Sequence, residues 1–299
     1  MTKIVFVSAG APRHGANLQR QVQQIADSSG WGWETSYISW EAASATPPPV
    51  GSWVWNVGNF GTFFEWARFL RDSGVRLIAH WIGTDLLQHK GSNAPFWAAN
   101  IHIADAPHLV YEAVDLTGRN VGYVRSIPPR VLSPSPITRW DRVLGYVPVG
   151  REDFFMYSHV REIATDFPAL EFHLMRPGLS NAAVEGNVHE YPEIGPEEAD
   201  RLGESAFCYL RLCQHDGIGL TLIEMAQRGR WNLHPNANLF GVLHADSVGM
   251  AEAWLDWLVE RRKEPNPDIA SHYAREYSLE ALEGDLDGLR RQMESVPKP

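Results

Sequence analysis

Short apolar runs alternate with helical stretches along this chain, and the alternation stops at a proline-rich segment and then starts again. Lys3–Ala9 (KIVFVSA) is a continuous apolar run of strand length, as expected of a strand buried on both faces of a parallel sheet. A loop with Gly10, Pro12 and Gly15 follows, and Asn17 is placed to cap a helix reaching Ser28. Strands at Glu34–Ser39, Ser52–Val57 and Val75–Trp81 continue the series, with a helix over Phe60–Asp72. The short runs His108–Tyr111 and Val121–Ser126 read as the end of the first half. Such alternation predicts an α/β fold built on parallel sheets.

The segment Ile127–Pro136 (IPPRVLSPSP) has many prolines and no periodicity, which marks a domain boundary. Beyond it the pattern restarts with strand Arg142–Val147, a turn at Gly150, helix Phe154–Asp166 and strand Leu170–Met175. Strand Ser205–Leu212, a turn at His215–Gly219 and a helix over Leu220–Arg228 follow. Helices at Ser247–Arg262 and Ser278–Ser295 come last. The expected organisation is a Rossmann-like domain over residues 1–132, a second over 133–275, and a closing helical segment over 276–299. A length of 299 residues with 44% hydrophobic content suffices for two such cores.

Charge narrows the partners. With 26 Lys and Arg against 36 Asp and Glu the formal net charge is −10, which argues against a broad phosphate-neutralising surface and hence against nucleic acid. One diphosphate needs only a few well-placed donors, so a local anion pocket stays open to it. Two cysteines, Cys208 and Cys213, fall in a strand and its exit loop, the pattern of a reduced cytoplasmic protein. The opening MTKIVFVSAG is too short and too strand-like for a signal peptide, and no apolar run reaches membrane-spanning length. The 12 tryptophans leave peripheral contact with lipid or sugar open, although most are expected in the core.

The segment from Ala206 to Gly229 (AFCYLRLCQHDGIGLTLIEMAQRG) is the most informative. A buried strand delivers a polar turn at its C-terminal end and a helix begins directly afterwards, which is where open α/β sheets bind ligands. Gly217 and Gly219 let backbone approach a ligand, with Ile218 between them, and the N–H groups of Leu220 and Thr221 at the helix start favour a diphosphate. Glu224, one turn on, is placed to accept hydrogen bonds from two ribose hydroxyls. Alone, an Asp-Gly pair is an ordinary turn and a helical Glu an ordinary surface residue. The combination with strand, glycines and helix gives them meaning.

Here the chain resembles glycosyltransferase family 4, whose pattern is Glu, seven intervening residues and a second Glu before an Ala- and Gly-containing helix end. Asp216, seven residues and Glu224 reproduce the spacing, and IEMAQRGR stands at the helix end. The resemblance implies a GT-B fold, two Rossmann-like domains facing across a cleft. It also implies transfer of a sugar from a nucleotide diphosphate donor, UDP- or GDP-linked, to an acceptor, with retention, no metal and no further cofactor, and with the donor phosphate available to take the acceptor proton. Asp216 and the backbone after it would hold sugar and phosphates, and Glu224 the ribose. The family also has a Gly-Arg pair after the first strand of this domain and a Lys shortly after. Gly150-Arg151 matches the pair, but the Lys is missing from the following EDFFMYSH, so Arg176 or Arg211 is a candidate replacement. Asn187–Tyr191 resembles the strand that reads the base, which points to Val188.

In the first half, Ala79–Leu87 (AHWIGTDLL) resembles the family's His-Trp-x-Gly-Ser/Thr-Asp string. Gly83 permits the turn, Thr84 caps the helix, Asp85 faces the cleft as a catalytic candidate, and the loop Gly10–Asn17 lies beside it on the acceptor side. His80 reads more readily as a satisfied histidine than as a base. The 12 histidines show no metal-ligand spacing, and GAPRHG lacks the glycine spacing of a dinucleotide fingerprint. The closing helix over 276–299 resembles those that brace the first GT-B domain. A protein of this fold that binds a nucleotide or glycan without catalysis is the alternative, and the missing Lys is its main support.

Overall fold

A computed structural model describes residues 1–8, 12–261 and 264–297. Ala9 and Gly10 of the expected first strand and loop, and Arg262 at the end of an expected helix, lie outside these described residues. The chain divides into two compact units, the first made of Met1–Arg130 with Tyr277–Pro299 and the second of Val131–Glu276.

Unit 1 holds β1 (Thr2–Ser8), α1 (Pro12–Ser28), β2 (Trp33–Ser39), α2 (Trp40–Ala45), β3 (Trp53–Val57), α3 (Phe63–Asp72), β4 (Arg76–Trp81), α4 (Thr84–His89), β5 (Ile101–Ala104), α5 (Pro107–Thr117) and β6 (Val121–Tyr123). Its six strands lie in the order β2-β1-β3-β4-β5-β6, every pairing parallel. The inner strands are buried along their length, as β3 (WVWNV) shows, because helices cover both faces of a parallel sheet.

Three local readings differ from the sequence expectation. Asn17 lies inside α1 rather than at its cap, and its Nδ2 donates to the Ile127 carbonyl oxygen at 3.2 Å. His108–Tyr111 is helical, because Pro107 with its fixed φ starts α5 there. The strand expected at that point is Ile101–Ala104 instead, with His102 inside an otherwise apolar run.

Unit 2 contains β7 (Arg142–Tyr146), α6 (Tyr157–Asp166), β8 (Glu171–Met175), β9 (Ala183–Glu185), β10 (Val188–Tyr191), α7 (Pro196–Ser205), β11 (Cys208–Leu210), α8 (Leu220–Gln227), β12 (Trp231–His234), β13 (Val242–His244), α9 (Val248–Arg261) and α10 (Pro267–Glu276). The sheet order is β13-β12-β11-β7-β8-β10-β9, parallel except for the β9–β10 pair. Val143, Phe172, Phe207, Leu233 and Leu255 are among the buried side chains of its core. Only Cys208–Leu210 of the expected strand Ser205–Leu212 is extended, since Ser205 ends α7, whose start Pro196 marks.

The last helix, α11 (Leu279–Ser295), belongs to unit 1. It is tied there by Asp285, whose carboxylate accepts from Arg125 Nε at 2.6 Å and from the Arg125 backbone N–H at 3.0 Å. Ser29 Oγ also donates to Glu283.

Candidate functional site

In unit 2 the chain runs outward from β7 to β8 and later returns to place β11 on the other side of β7. A reversal of this kind opens a crevice at the C-terminal ends of the two strands, where α/β sheets bind ligands. The loops leaving β7 and β11 therefore border the crevice, and they carry Gly150-Arg151 and Arg211–Gly219.

Arg211 organises the second loop. Its side chain is buried, Nε donates to Asp216 Oδ2, and Nη1 reaches the Tyr209 hydroxyl at 3.4 Å. The guanidinium lies 5.2 Å from the Tyr146 ring centre and 5.1 Å from that of Phe155. Gly219 closes over it, since a Cβ there would stand 3.4 Å from the guanidinium carbon. Burial disfavours the guanidinium charge, but Asp216 outweighs this and holds Arg211 above its ordinary pKa. Burial likewise disfavours the Asp216 charge. The facing Arg211, helped by His234, nonetheless brings its pKa down to about 2. His234 Nε2 stands 3.7 Å from Asp216 Oδ2, while its Nδ1 accepts from the Asn236 N–H at 3.1 Å.

Downstream, Gly217 and Ile218 are buried and Gly219 is the N-cap of α8. No side chain caps that helix end, so the N–H groups of Leu220 and Thr221 find no partner among the described residues. Such amides, with the helix dipole behind them, suit an anion. Glu224 is half-buried on the next turn of α8.

The three arginines considered for the diphosphate are not equivalent. Arg176 donates to Glu190 Oε1 at 2.8 Å and to Glu152 Oε1 at 2.6 Å, and lies 4.3 Å from the centre of the Tyr157 ring. Arg211 is held by Asp216. Arg151 is exposed, packs 4.8 Å from the Phe154 ring centre, and makes no ion pair among the described residues. Gly150 takes the left-handed φ of 79° that turns the chain into Arg151. Of the three, Arg151 has its charge available. Val188 sits between β8 and β9 with its side chain in the core, so it offers a ligand no side chain.

The corresponding edge of unit 1 is built differently. Gly83, at φ 116°, makes the turn after β4 and is itself the N-cap of α4, with Thr84 the first helical residue. Asp85 points inward rather than outward. It is 0% exposed, and its carboxylate accepts from the backbone N–H groups of Asn59 at 2.8 Å, Ile82 at 3.1 Å and Leu86 at 3.1 Å. Burial pushes it up to about 6, with the N–H groups of Asn59, Ile82 and Asp85 itself acting against that rise. His80 is also 0% exposed, with Nδ1 accepting from Trp55 Nε1 at 3.1 Å. Burial, and then the neighbouring His14, bring it down to about 3. His102 repeats the arrangement with Trp81 Nε1 at 3.3 Å.

Two clusters of ligand-type side chains, which sequence spacing did not reveal, come together in unit 2: Cys213 with Asp216 and His234, and Glu171 with His173 and His189. Each has an arginine against its carboxylate. Arg211 bonds Asp216, and Arg139 reaches Glu171 at 3.0 Å. A cation therefore already neutralises the hard oxygen ligand in both. Burial also pushes the Cys213 thiol up to about 12.

No family model matches the chain, and no curated protein matches it by sequence. Solved structures do match. Sucrose-phosphate synthase from Thermosynechococcus elongatus aligns with a TM-score of 0.73 at 9% identity, over 99% of this chain and 100% of its own. The N-terminal domain of Candida albicans trehalose-6-phosphate phosphatase gives 0.67 at 10% identity, over 99% and 97%. A mutant of S. aureus TarM in complex with fondaparinux, alpha-GlcNAc-glycerol and UDP gives 0.59 at 13% identity, over 80% of this chain and 55% of that one. This chain thus spans little more than half the length of TarM. The likeness establishes the fold: α/β, with the two Rossmann-like domains of GT-B glycosyltransferases.

Proposed function

We propose that this chain transfers a sugar from a nucleotide diphosphate donor to an acceptor, with retention at the anomeric carbon and without a metal. The carrying observation is the construction of the unit 2 crevice, where free helix amides at Leu220 and Thr221, the unpaired cation Arg151 and the carboxylate Glu224 border one strand reversal. In this reading the amides and Arg151 hold the diphosphate and stabilise it as it leaves, and Glu224 accepts from the ribose hydroxyls. Asp216 shapes the loop through Arg211 and presents the backbone of Gly217–Gly219 to the sugar. A UDP- or GDP-linked donor is proposed on the family resemblance.

Thermal-shift and calorimetric titration with UDP, GDP, ADP and their sugar conjugates tests the reading. One nucleotide should stabilise the protein, and Glu224→Ala should weaken it about tenfold through lost charge-assisted hydrogen bonds. Unchanged affinity in Glu224→Ala removes the ribose assignment, and no binding by any nucleotide removes the whole reading. Turnover should survive EDTA, with the product's anomeric proton coupling matching the donor's.

One observation favours a second reading, nucleotide or glycan binding without catalysis. Arg176 and Arg211 are already ion-paired and the EDFFMYSH after Arg151 holds no lysine, so the diphosphate meets one free cation of the three candidates. Stabilisation by a nucleotide with no turnover of any conjugate selects that reading.

A further inference from the structure

At the edge of unit 1, three polar side chains from separate segments form a chain of hydrogen bonds. His14, on the first turn of α1, has Nε2 at 2.7 Å from Ser126 Oγ, and Ser126 Oγ donates to Asp105 Oδ2 at 3.4 Å. Asp105 follows β5 directly and Ser126 lies just beyond β6; both are almost fully buried. Neither residue was singled out in the sequence.

The order of donors decides what His14 presents. A serine hydroxyl has one hydrogen, and both contacts are hydrogen bonds together, with Asp105 as a carboxylate, only when Ser126 gives it to Asp105. Its oxygen then accepts from His14, so Nε2 carries the ring proton and Nδ1 is left with a bare lone pair. Nδ1 makes no hydrogen bond among the described residues. Burial brings the His14 pKa down to about 4, so the ring is neutral near pH 7. The adjacent His80 is neutral as well. A lone pair backed by a buried carboxylate repels phosphate or carboxylate and accepts from a neutral O–H.

We propose that His14 Nδ1 holds a hydroxyl group of an uncharged, polyol-type ligand, with Ser126 and Asp105 as positioning residues that set the tautomer. Naming that ligand as the acceptor rests on the sugar-transfer reading; the hydroxyl site itself rests on the hydrogen-bond chain. The two unit edges then take opposite ligand chemistries, an anion on unit 2 and a neutral alcohol on unit 1.

The test is ring-15N histidine NMR on the full chain, with methyl α-D-glucopyranoside as probe and the nucleotide panel titrated in parallel. His14 should be in the Nε2–H form, and its Nδ1 resonance should move saturably with the probe. Ser126→Ala should weaken the probe about fivefold and mix the tautomers, as expected for the loss of one hydrogen bond. Ser126→Thr, which keeps the hydroxyl, should restore both. His14→Gln should leave nucleotide affinity unchanged. An Nδ1–H form in the unmodified protein, or an Nδ1 resonance that ignores the probe, overturns the proposal even if nucleotides bind. A saturable shift without nucleotide binding leaves the hydroxyl site standing and sinks the transfer reading alone.

Discussion

The two units share an architecture but surround the strand ends of their candidate sites with different partners. Unit 2 sets side chains of opposite charge against one another, Arg211 with Asp216 and Arg176 with Glu152 and Glu190. Unit 1 buries His80 and His102 as neutral rings on tryptophan N–H groups and surrounds Asp85 with backbone amides. A paired edge costs little extra to bring an anion to, because the field is already set by fixed charges. A neutral edge favours hydroxyls. The same fold thus separates anion and alcohol chemistry through the choice of buried partners.

Removing one member of an ionised pair should give the largest break in that contrast. Arg211→Ala takes away the cation paired with the buried Asp216, and unit 2 should lose about 3–5 kcal/mol in urea denaturation. A loss below about 1 kcal/mol would mean that the pair does not hold the loop. In unit 1, Asp85→Ala leaves three N–H groups without their acceptor and should cost about 2 kcal/mol while nucleotide affinity stays the same. A fall in nucleotide affinity would bring Asp85 back as a ligand.

Arg151→Gln should be nearly silent in stability, because the side chain is exposed and unpaired. It should weaken the best-binding nucleoside diphosphate about tenfold, roughly 1.4 kcal/mol, and leave the matching nucleoside unaffected. Equal losses for both would place Arg151 away from the phosphates.

Acid gives the finest probe. His14, His80 and His102 have pKa values lowered to about 4, 3 and 4, so their contribution is whole above the ordinary value near 6.5 and is lost as pH falls toward the lowered values. Asp85, raised to about 6, acts in the opposite sense between its ordinary 3.8 and 6. Asp216, lowered to about 2, keeps its contribution until pH falls below about 4, although His173 in unit 2 follows the histidine pattern. Going from pH 7 to 6 should cost unit 1 roughly 0.7 kcal/mol for a buried group such as His80. Hydrogen exchange resolved by unit should therefore show unit 1 loosening first, and the reverse order would contradict the contrast.

The alternation of apolar runs made the two α/β halves legible, and the loop from Arg211 to Thr221 was legible because strand, glycines and helix are contiguous there. The partners of Arg211 and Arg176 were not. Their carboxylates Asp216, Glu152 and Glu190 are brought close by loop and sheet geometry, and a spacing rule sees each arginine as free. Asp85 was read as facing outward because a Gly-Thr-Asp turn suggests a cap at Thr84; the distant Asn59 amide helps draw its carboxylate inward. His14, Ser126 and Asp105 are separated by most of unit 1 in sequence and meet only across its fold. The strand Ile101–Ala104 was missed because His102 interrupts its apolar run, and only the pairing with Trp81 shows that histidine to be a core residue.

Unit 1 is assembled from both sides of unit 2, since α11 returns to lie against α1 and pairs Asp285 with Arg125. During synthesis the middle of the chain has everything it needs once α10 leaves the ribosome, whereas the first half waits for the last helix. The six strands of unit 1 are made first but lack the apolar face of α11, with Leu282, Leu286, Leu289 and Met293, until unit 2 has been made, so unit 1 should be finished last although it is begun first. Chains cut short before Leu279 should depend on chaperones through unit 1 and still carry a finished unit 2.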